Sequence, residues 1–214
     1  MADEYVIHGA KGTGSVAVEA TLALLGLPYR VVETALFGPG GAESAELRQV
    51  NPMMQVPALI LPTGELMTES SAILIWLADA YPQGRLSPSP AANTRPAFLR
   101  WMAFVSSAIY ALYWIRDDAR RIVDDPDLGK EARRRIGARL LECWRAMDAQ
   151  VEPGHYILGD DDLTVLDLYV TVVSRWPPGR GRFANAAPKL AQVVQRVDAD
   201  PRLRAFWAER FPFE

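Results

Sequence analysis

The chain has 214 residues, half of them apolar, and a formal net charge of -3, enough material for one large or two small buried cores. The acidic balance excludes the basic footprint of a nucleic-acid binder, and the single cysteine, Cys143, excludes an internal disulfide framework, a zinc knuckle or a CxxC pair. The opening "MADEY" lacks the basic-then-apolar build of a signal peptide and no apolar run is long enough for a bilayer, so a cytoplasmic protein without metal or membrane partner is expected.

In chain order, "YVIH" reads as a short strand, followed by the loop "GAKGTGSVAVEA" at residues 9–20. Val16, Ala20, Ala23, Leu24 and Leu27 recur at helical spacing, and Gly26 with Pro28 closes that helix. "YRVVETAL" is β-branched and predicts a second strand, and "FGPGGAE" a loop. Ser44 and Glu46 can start a short helix that must stop before Pro52. "VPALIL" and "ELMT" flank a tight "PTG" turn and predict a hairpin, and "SSAILIWLADAY" an amphipathic helix. "YPQGRLSPSPAAN" has no periodicity and reads as a linker. Beyond it only helical patterns appear: 95–123, 129–151 with Ile136, Leu140, Cys143, Trp144 and Met147 on one face, 163–176, and two stretches opened by Pro188 and Pro201. Arg133, Arg134 and Arg135 have acidic neighbours and read as a solvated helix face.

Gly9, Gly12 and Gly14 fit a GxxGxG spacing, with Glu33 about twenty residues on, which invites a dinucleotide reading. That reading needs a second run of βαβ units, and here a hairpin and then helices follow. The Walker pattern also fails, because no Lys-Ser or Lys-Thr pair closes the loop.

A different resemblance is more specific. "NPMMQVPALIL" at 51–61 resembles the glutathione transferase pattern of Asn-Pro ahead of a Val-Pro-Ala-Leu strand, and "ESSAILIWLADAY" at 69–81 resembles that family's Glu/Gln-Ser-x-Ala-Ile helix start. The "GLPY" segment, the linker and the helical second half extend the likeness over essentially the whole chain. The resemblance implies an α/β thioredoxin-like domain over 1–80, a linker over 81–91 and an all-α domain over 92–214, with the chains paired as a homodimer. It implies glutathione as co-substrate and a small hydrophobic electrophile as the second substrate. A cis peptide before Pro57 would turn the N–H and C=O of Val56 toward the cysteinyl backbone of glutathione. Ser70 at a helix start would face the γ-glutamyl carboxylate, with its amino group near Glu69. Gln55 stands where many relatives carry lysine, and would meet the glycyl carboxylate without a charge. Thr164 and Asp167 in "LTVLDLY" match a capping box, so Asp167 reads as structural.

The implied chemistry is attack by a glutathione thiolate, whose parent thiol is little ionised at neutral pH. Alignment back from "GLPY" places Gly14 where cysteine-type bacterial relatives carry cysteine, and Tyr110 where they carry a helix histidine. The remaining sulfur donors are Ser15 first, then Thr13, with His8 at the strand end as a third candidate. Tyr110, Tyr113 and Trp114, with Phe37 and the loop 38–41, are expected around the second substrate. Conjugation, β-ether cleavage, dehalogenation and isomerisation are all compatible with this pattern, as is a non-catalytic interaction module.

Overall fold

The computed structural model describes residues 4–34, 45–159 and 161–212. Its first part is a four-stranded sheet ordered β2-β1-β3-β4 with helices packed on it. Strand β1, Tyr5–Gly9, is buried at every position and lies parallel to β2, Tyr29–Glu33, with Ile7 opposite Val31. Strand β3, Ala58–Ile60, runs antiparallel on its other side, and β4, Leu66–Met67, closes the hairpin. The parallel pair requires a crossover, which α1, Ser15–Leu25, provides. Gly26 ends α1 in the left-handed conformation, as the Gly-x-Pro spacing predicts. Helices α2, Ala45–Val50, and α3, Ser70–Ala80, complete this part, and α1 packs on α3. The architecture is thioredoxin-like, followed by an all-helical part. The antiparallel hairpin removes the sheet that a dinucleotide cradle needs.

Past a short 3-10 turn at Pro82–Gly84, all described elements are helical: α4, Arg95–Phe104; α5, Ala111–Asp117; α6, Pro126–Asp148; α7, Val165–Val173; α8, Arg180–Ala186; α9, Pro188–Asp198; and α10, Arg204–Arg210. The predicted helix over 95–123 is not one α-helix. A π-helical stretch, Val105–Tyr110, joins α4 to α5, and Asp118 breaks the run in extended backbone before a 3-10 turn. Helix α8 lies in a glycine-rich stretch that carries no helical pattern in the sequence, and α10 starts three residues after Pro201. The run Arg95–Asp117 is long and apolar enough to cross a membrane by length and composition, which corrects the expectation from sequence. Here it places Phe98, Trp101, Met102, Val105, Ile109 and Tyr113 in the common core.

Helix α7 is the centre of that core. All nine of its residues are buried, and it packs against α1, α3, α4 and α9. Its buried N-terminus is capped by Asp167, which accepts from the Thr164 N–H at 2.8 Å, the Thr164 hydroxyl at 2.7 Å and the Ile157 N–H at 2.9 Å.

Arginine–carboxylate pairs tie separate segments together. Arg95 donates to both carboxylate oxygens of Asp79, joining α4 to α3. Arg210 on α10 donates to Glu19 on α1 and to Glu33 on β2, and Glu19 is fully buried. Arg210→Met leaves that carboxylate buried without a cation, so the expected loss is about 3–5 kcal/mol in denaturant unfolding, partly recovered in Glu19→Gln/Arg210→Met. The hydrogen bond from Arg95 holds the Asp79 carboxyl below its ordinary range. Its contribution is therefore present above the unfolded carboxylate pKa of about 4 and lost as pH falls through the lower folded value. Thermal melts of Asp79→Asn should show a lower Tm at neutral pH and a shallower decline with acid than the parent protein.

Candidate functional site

The loop between β1 and α1 is tied down rather than open. Gly12 donates its N–H to the Arg210 carbonyl at 3.0 Å, and its own carbonyl accepts from the Trp176 indole at 2.7 Å. Gly9 is required by close approach, because a Cβ there would sit 2.4 Å from the Ser15 hydroxyl oxygen. Inside the turn, Ser15 Oγ accepts from the Ala10 N–H at 3.2 Å and donates to Glu19 at 2.8 Å. Thr13 Oγ1 donates to the Ala10 carbonyl at 2.8 Å and accepts from the Ser15 N–H at 3.3 Å. These two hydroxyls thus form a capping network at the helix mouth that ends on the Glu19–Arg210 pair.

A cavity of about 570 Å³ opens against this mouth, within the range of small-molecule sites. One wall comes from the thioredoxin-like part: Gly12, Thr13 and Gly14 from the loop, Asn51, then Met54 to Pro57, then Thr68 to Ser70. The opposite wall is helical: Ser106, Ser107, Tyr110, Ala111, Tyr113, Trp114, Asp117, Arg121, Trp176 and Pro177. The Val56–Pro57 peptide is cis, and the N–H and C=O of Val56 make no hydrogen bond among the described residues. Asn51 braces the approach to it, donating its side-chain amide to the Gln55 carbonyl at 2.8 Å. Glu69 precedes α3 at φ +65°, a left-handed conformation that a residue with a Cβ adopts at a cost of about 1–3 kcal/mol. Met54, also on the cavity wall, shares that conformation at φ +55°. Backbone held this way clusters at active sites and ligand clamps. Ser70 begins α3 with its hydroxyl 2.9 Å from that of Tyr169 on α7, which fixes it at the free N–H end of the helix.

The aromatic wall is rigid. Trp176 meets Tyr110 and Tyr113 edge to face, with centroids 5.0 Å apart in each case, and Tyr169 stacks on Tyr110. Burial pushes the Tyr169 phenol up to about 12, and raises those of Tyr110 and Tyr113 well above the usual range. All three are neutral donors at physiological pH. Arg121 lies over the Trp114 ring at 5.0 Å, while burial raises the Asp117 carboxyl.

Of the residues singled out in the sequence, the structure brings Thr13, Gln55, Val56, Pro57, Glu69, Ser70, Tyr110, Tyr113 and Trp114 to this one cavity. Ser15 and His8 do not line it. Ser15 is fully buried beneath the loop, and His8 is buried in the middle of the sheet, opposite Val32 and Ala58. Burial lowers the His8 pKa, and its Nδ1 has no partner. Phe37 and the loop 38–41 lie outside the described residues. Asp117, Arg121 and Trp176 were not singled out; they reach the cavity through the π-helical offset and a turn after α7, which leave no periodic signal in sequence. Gly14 and Tyr110, two of the three departures from the family resemblance, are in contact: a Cβ on Gly14 would lie 2.2 Å from the Tyr110 hydroxyl. Among the described residues no cluster of His, Cys, Asp and Glu suits a metal ion.

Comparison with known proteins agrees with this geometry. Residues 15–80 match the family model described as glutathione S-transferase, N-terminal domain. An uncharacterized GST-like protein of Escherichia coli K12, YncG, is 27% identical over 92% of this chain and 94% of its own. The glutathione S-transferase GstA of Escherichia coli O157:H7 is 25% identical over 90% of this chain and 92% of its own. Among solved structures, a glutathione transferase homologue from Sulfitobacter with bound glutathione superposes with a TM-score of 0.82 over 95% of this chain and 97% of that one; at 23% identity this likeness concerns the fold.

The Gly14–Tyr110 contact is testable on its own. Gly14→Ala forces the packed phenol to move and should lower stability by about 1–3 kcal/mol. Adding Tyr110→Phe removes the nearest atom, so urea midpoints of the double variant should recover part of that loss.

Proposed function

We propose that this chain, whose residues 15–80 match the glutathione S-transferase N-terminal domain, acts as a member of that family, holding glutathione in the cavity between its two parts and directing the thiolate at a small apolar electrophile. The observation that carries the reading is the convergence of three recognition elements on one wall: the unpaired backbone of Val56, the α3 N-terminus with Ser70, and the mouth of α1. Each suits a different part of the tripeptide. The cysteinyl backbone pairs with Val56 as an added strand. The γ-glutamyl carboxylate takes the free N–H groups and hydroxyl at Ser70, where helix dipole and hydrogen bonds act together. Its ammonium faces Glu69, which lines the same cavity wall. Gln55 offers a neutral amide to the glycyl carboxylate, which implies weaker binding than a lysine gives.

With glutathione so placed, its sulfur lies near the loop 12–14, and the aromatic wall borders the electrophile. Thiolate formation is favoured by the positive dipole end of α1. Sulfur then attacks the electrophile, the new carbon–sulfur bond forms as the leaving group departs or the strained ring opens, and the product keeps the sulfur substituted. We assign residues 1–80 to glutathione binding and 92–214 to the electrophile pocket, and we expect the chain to work as a homodimer.

Calorimetry with glutathione tests the first half. Saturable binding is expected, weakened about tenfold in Ser70→Ala, in line with the loss of one hydrogen bond to a charged group. The absence of binding by the parent protein would refute the assignment. Incubation with aryl halides, epoxides and isothiocyanates, followed by mass analysis of products, distinguishes conjugation from lyase or isomerase chemistry. A protein that binds glutathione but turns over nothing in such a panel is the non-catalytic module instead.

A further inference from the structure

The arginines near the helical wall are not all spent alike. Arg120 closes on the Asp118 carboxylate with Nε at 2.8 Å and Nη2 at 2.9 Å, a two-pronged pairing. Arg121 beside it lines the cavity, and among the described residues it makes no ion pair. Its Nη1 donates to the Trp114 carbonyl at 2.5 Å, and its guanidinium lies 5.0 Å from the centre of the Trp114 ring. Trp114 thus holds it twice, by backbone and by ring face. A guanidinium has five N–H donors, and this anchorage uses one. The planar cation is matched in shape to the two oxygens of a carboxylate, and stacking orders it before a ligand arrives.

The charge around Arg121 favours an anion. Asp118 is taken by Arg120, which leaves Asp117 as the carboxylate on which both Arg116 and Arg121 bear. The Arg116 Nε is buried without a partner. Two cations therefore stand against one carboxylate at this end of the cavity. The rest of the wall is aromatic. Trp176 joins it to the loop at the Gly12 carbonyl and packs on Tyr110 and Tyr113, while Trp114 joins it to Arg121. A ligand resting on these rings has the mouth of α1 at one end and a cation at the other.

Resting on the glutathione reading above, we infer that the second substrate is an organic acid, whose apolar electrophilic body lies on the aromatic wall and whose carboxylate is received by Arg121. Arg121 is then a specificity-determining residue. It touches the substrate away from the bond that changes, and it favours an acid over a neutral molecule of the same shape. Arg121 is exposed, so the pairing has the modest strength of a solvated ion pair and not that of a buried one.

The test is calorimetry with thioethers of glutathione, which have no thiol to react: S-methylglutathione, S-(4-carboxybenzyl)glutathione and its neutral amide, S-(4-carbamoylbenzyl)glutathione, with the 3-substituted isomers of both. The expected result is that in the parent protein one carboxybenzyl isomer binds about fivefold or more tightly than the matching amide. That preference disappears in Arg121→Met, while S-methylglutathione affinity is unchanged. Arg121→Gln, which keeps a donor without the charge, serves as a second variant and should lose the preference as well. Equal binding of acid and amide by the parent protein, for both isomers, overturns the inference. So does a preference for the acid that survives in both variants. A parent protein that binds S-methylglutathione but shows no such preference loses this inference alone. If it fails to bind S-methylglutathione, the glutathione reading falls, and this inference with it.

Discussion

Helix α7 is enclosed on all sides, and that enclosure organises the molecule. A helix without water at its N-terminus must find internal acceptors for its first N–H groups, because each orphaned group costs about 1–3 kcal/mol. Here the Leu86 carbonyl takes the Val165 N–H at 2.8 Å, and the cap completes the end. Thr164 serves the N3 backbone, and the Asp167 carboxylate answers the Thr164 N–H and gathers the Ile157 N–H from the preceding turn. Burial pushes the Asp167 carboxyl up while these hydrogen bonds pull it back. With the cap in place, the apolar surface of α7 packs against α1, α3, α4 and α9. The two parts of the chain consequently meet across a common helix, which fixes the distance across the cavity.

The site inherits its precision from this arrangement. Tyr169 leaves α7 to meet the Ser70 hydroxyl, and its ring supports Tyr110. One side chain therefore touches both the polar wall and the aromatic wall. The polar wall is assembled from backbone more than from side chains: a cis peptide, a helix start and a loop held by Trp176 and Arg210. Backbone donors are positioned by the whole fold and lose little entropy on meeting a ligand. The charged groups on the aromatic wall are Asp117 and Arg121.

Much of the architecture was legible in the residues because it rests on local rules. The alternation around Pro62-Thr63-Gly64 specified the hairpin, Gly26 the end of α1, and the Thr164–Asp167 spacing the cap. The cavity wall from Gln55 to Pro57 and from Glu69 to Ser70 was visible for the same reason, as two short motifs at turns. What remained hidden depends on contacts between distant segments. A π-helical offset has the composition of the α-helix around it, so nothing in "VSSAIYALYW" announces where Tyr110 points. Ser15 occupies the expected place in sequence, but its hydroxyl is taken by Glu19, a residue whose own burial is intelligible only once Arg210 is seen. Helix α8 forms in a glycine- and arginine-rich stretch because Phe183 and Ala186 are buried against neighbours, an override of weak local preference by packing.

The Glu19–Arg210 pair has a bearing on how the protein is made. A carboxylate that the finished fold encloses completely has its cation 191 residues further along the chain. During synthesis the thioredoxin-like part emerges first, and domains generally begin to fold in that order. Until Arg210 arrives, α1 must either keep Glu19 hydrated or carry it protonated, since an unpaired buried charge is costly. Helix α1 therefore reaches its final electrostatic state only when α10 docks, and the loop whose Gly12 leans on the Arg210 carbonyl is completed at the same moment. Assembly of the cavity end beside α1 is thereby coupled to the docking of α10, whose arginine lies 191 residues beyond Glu19.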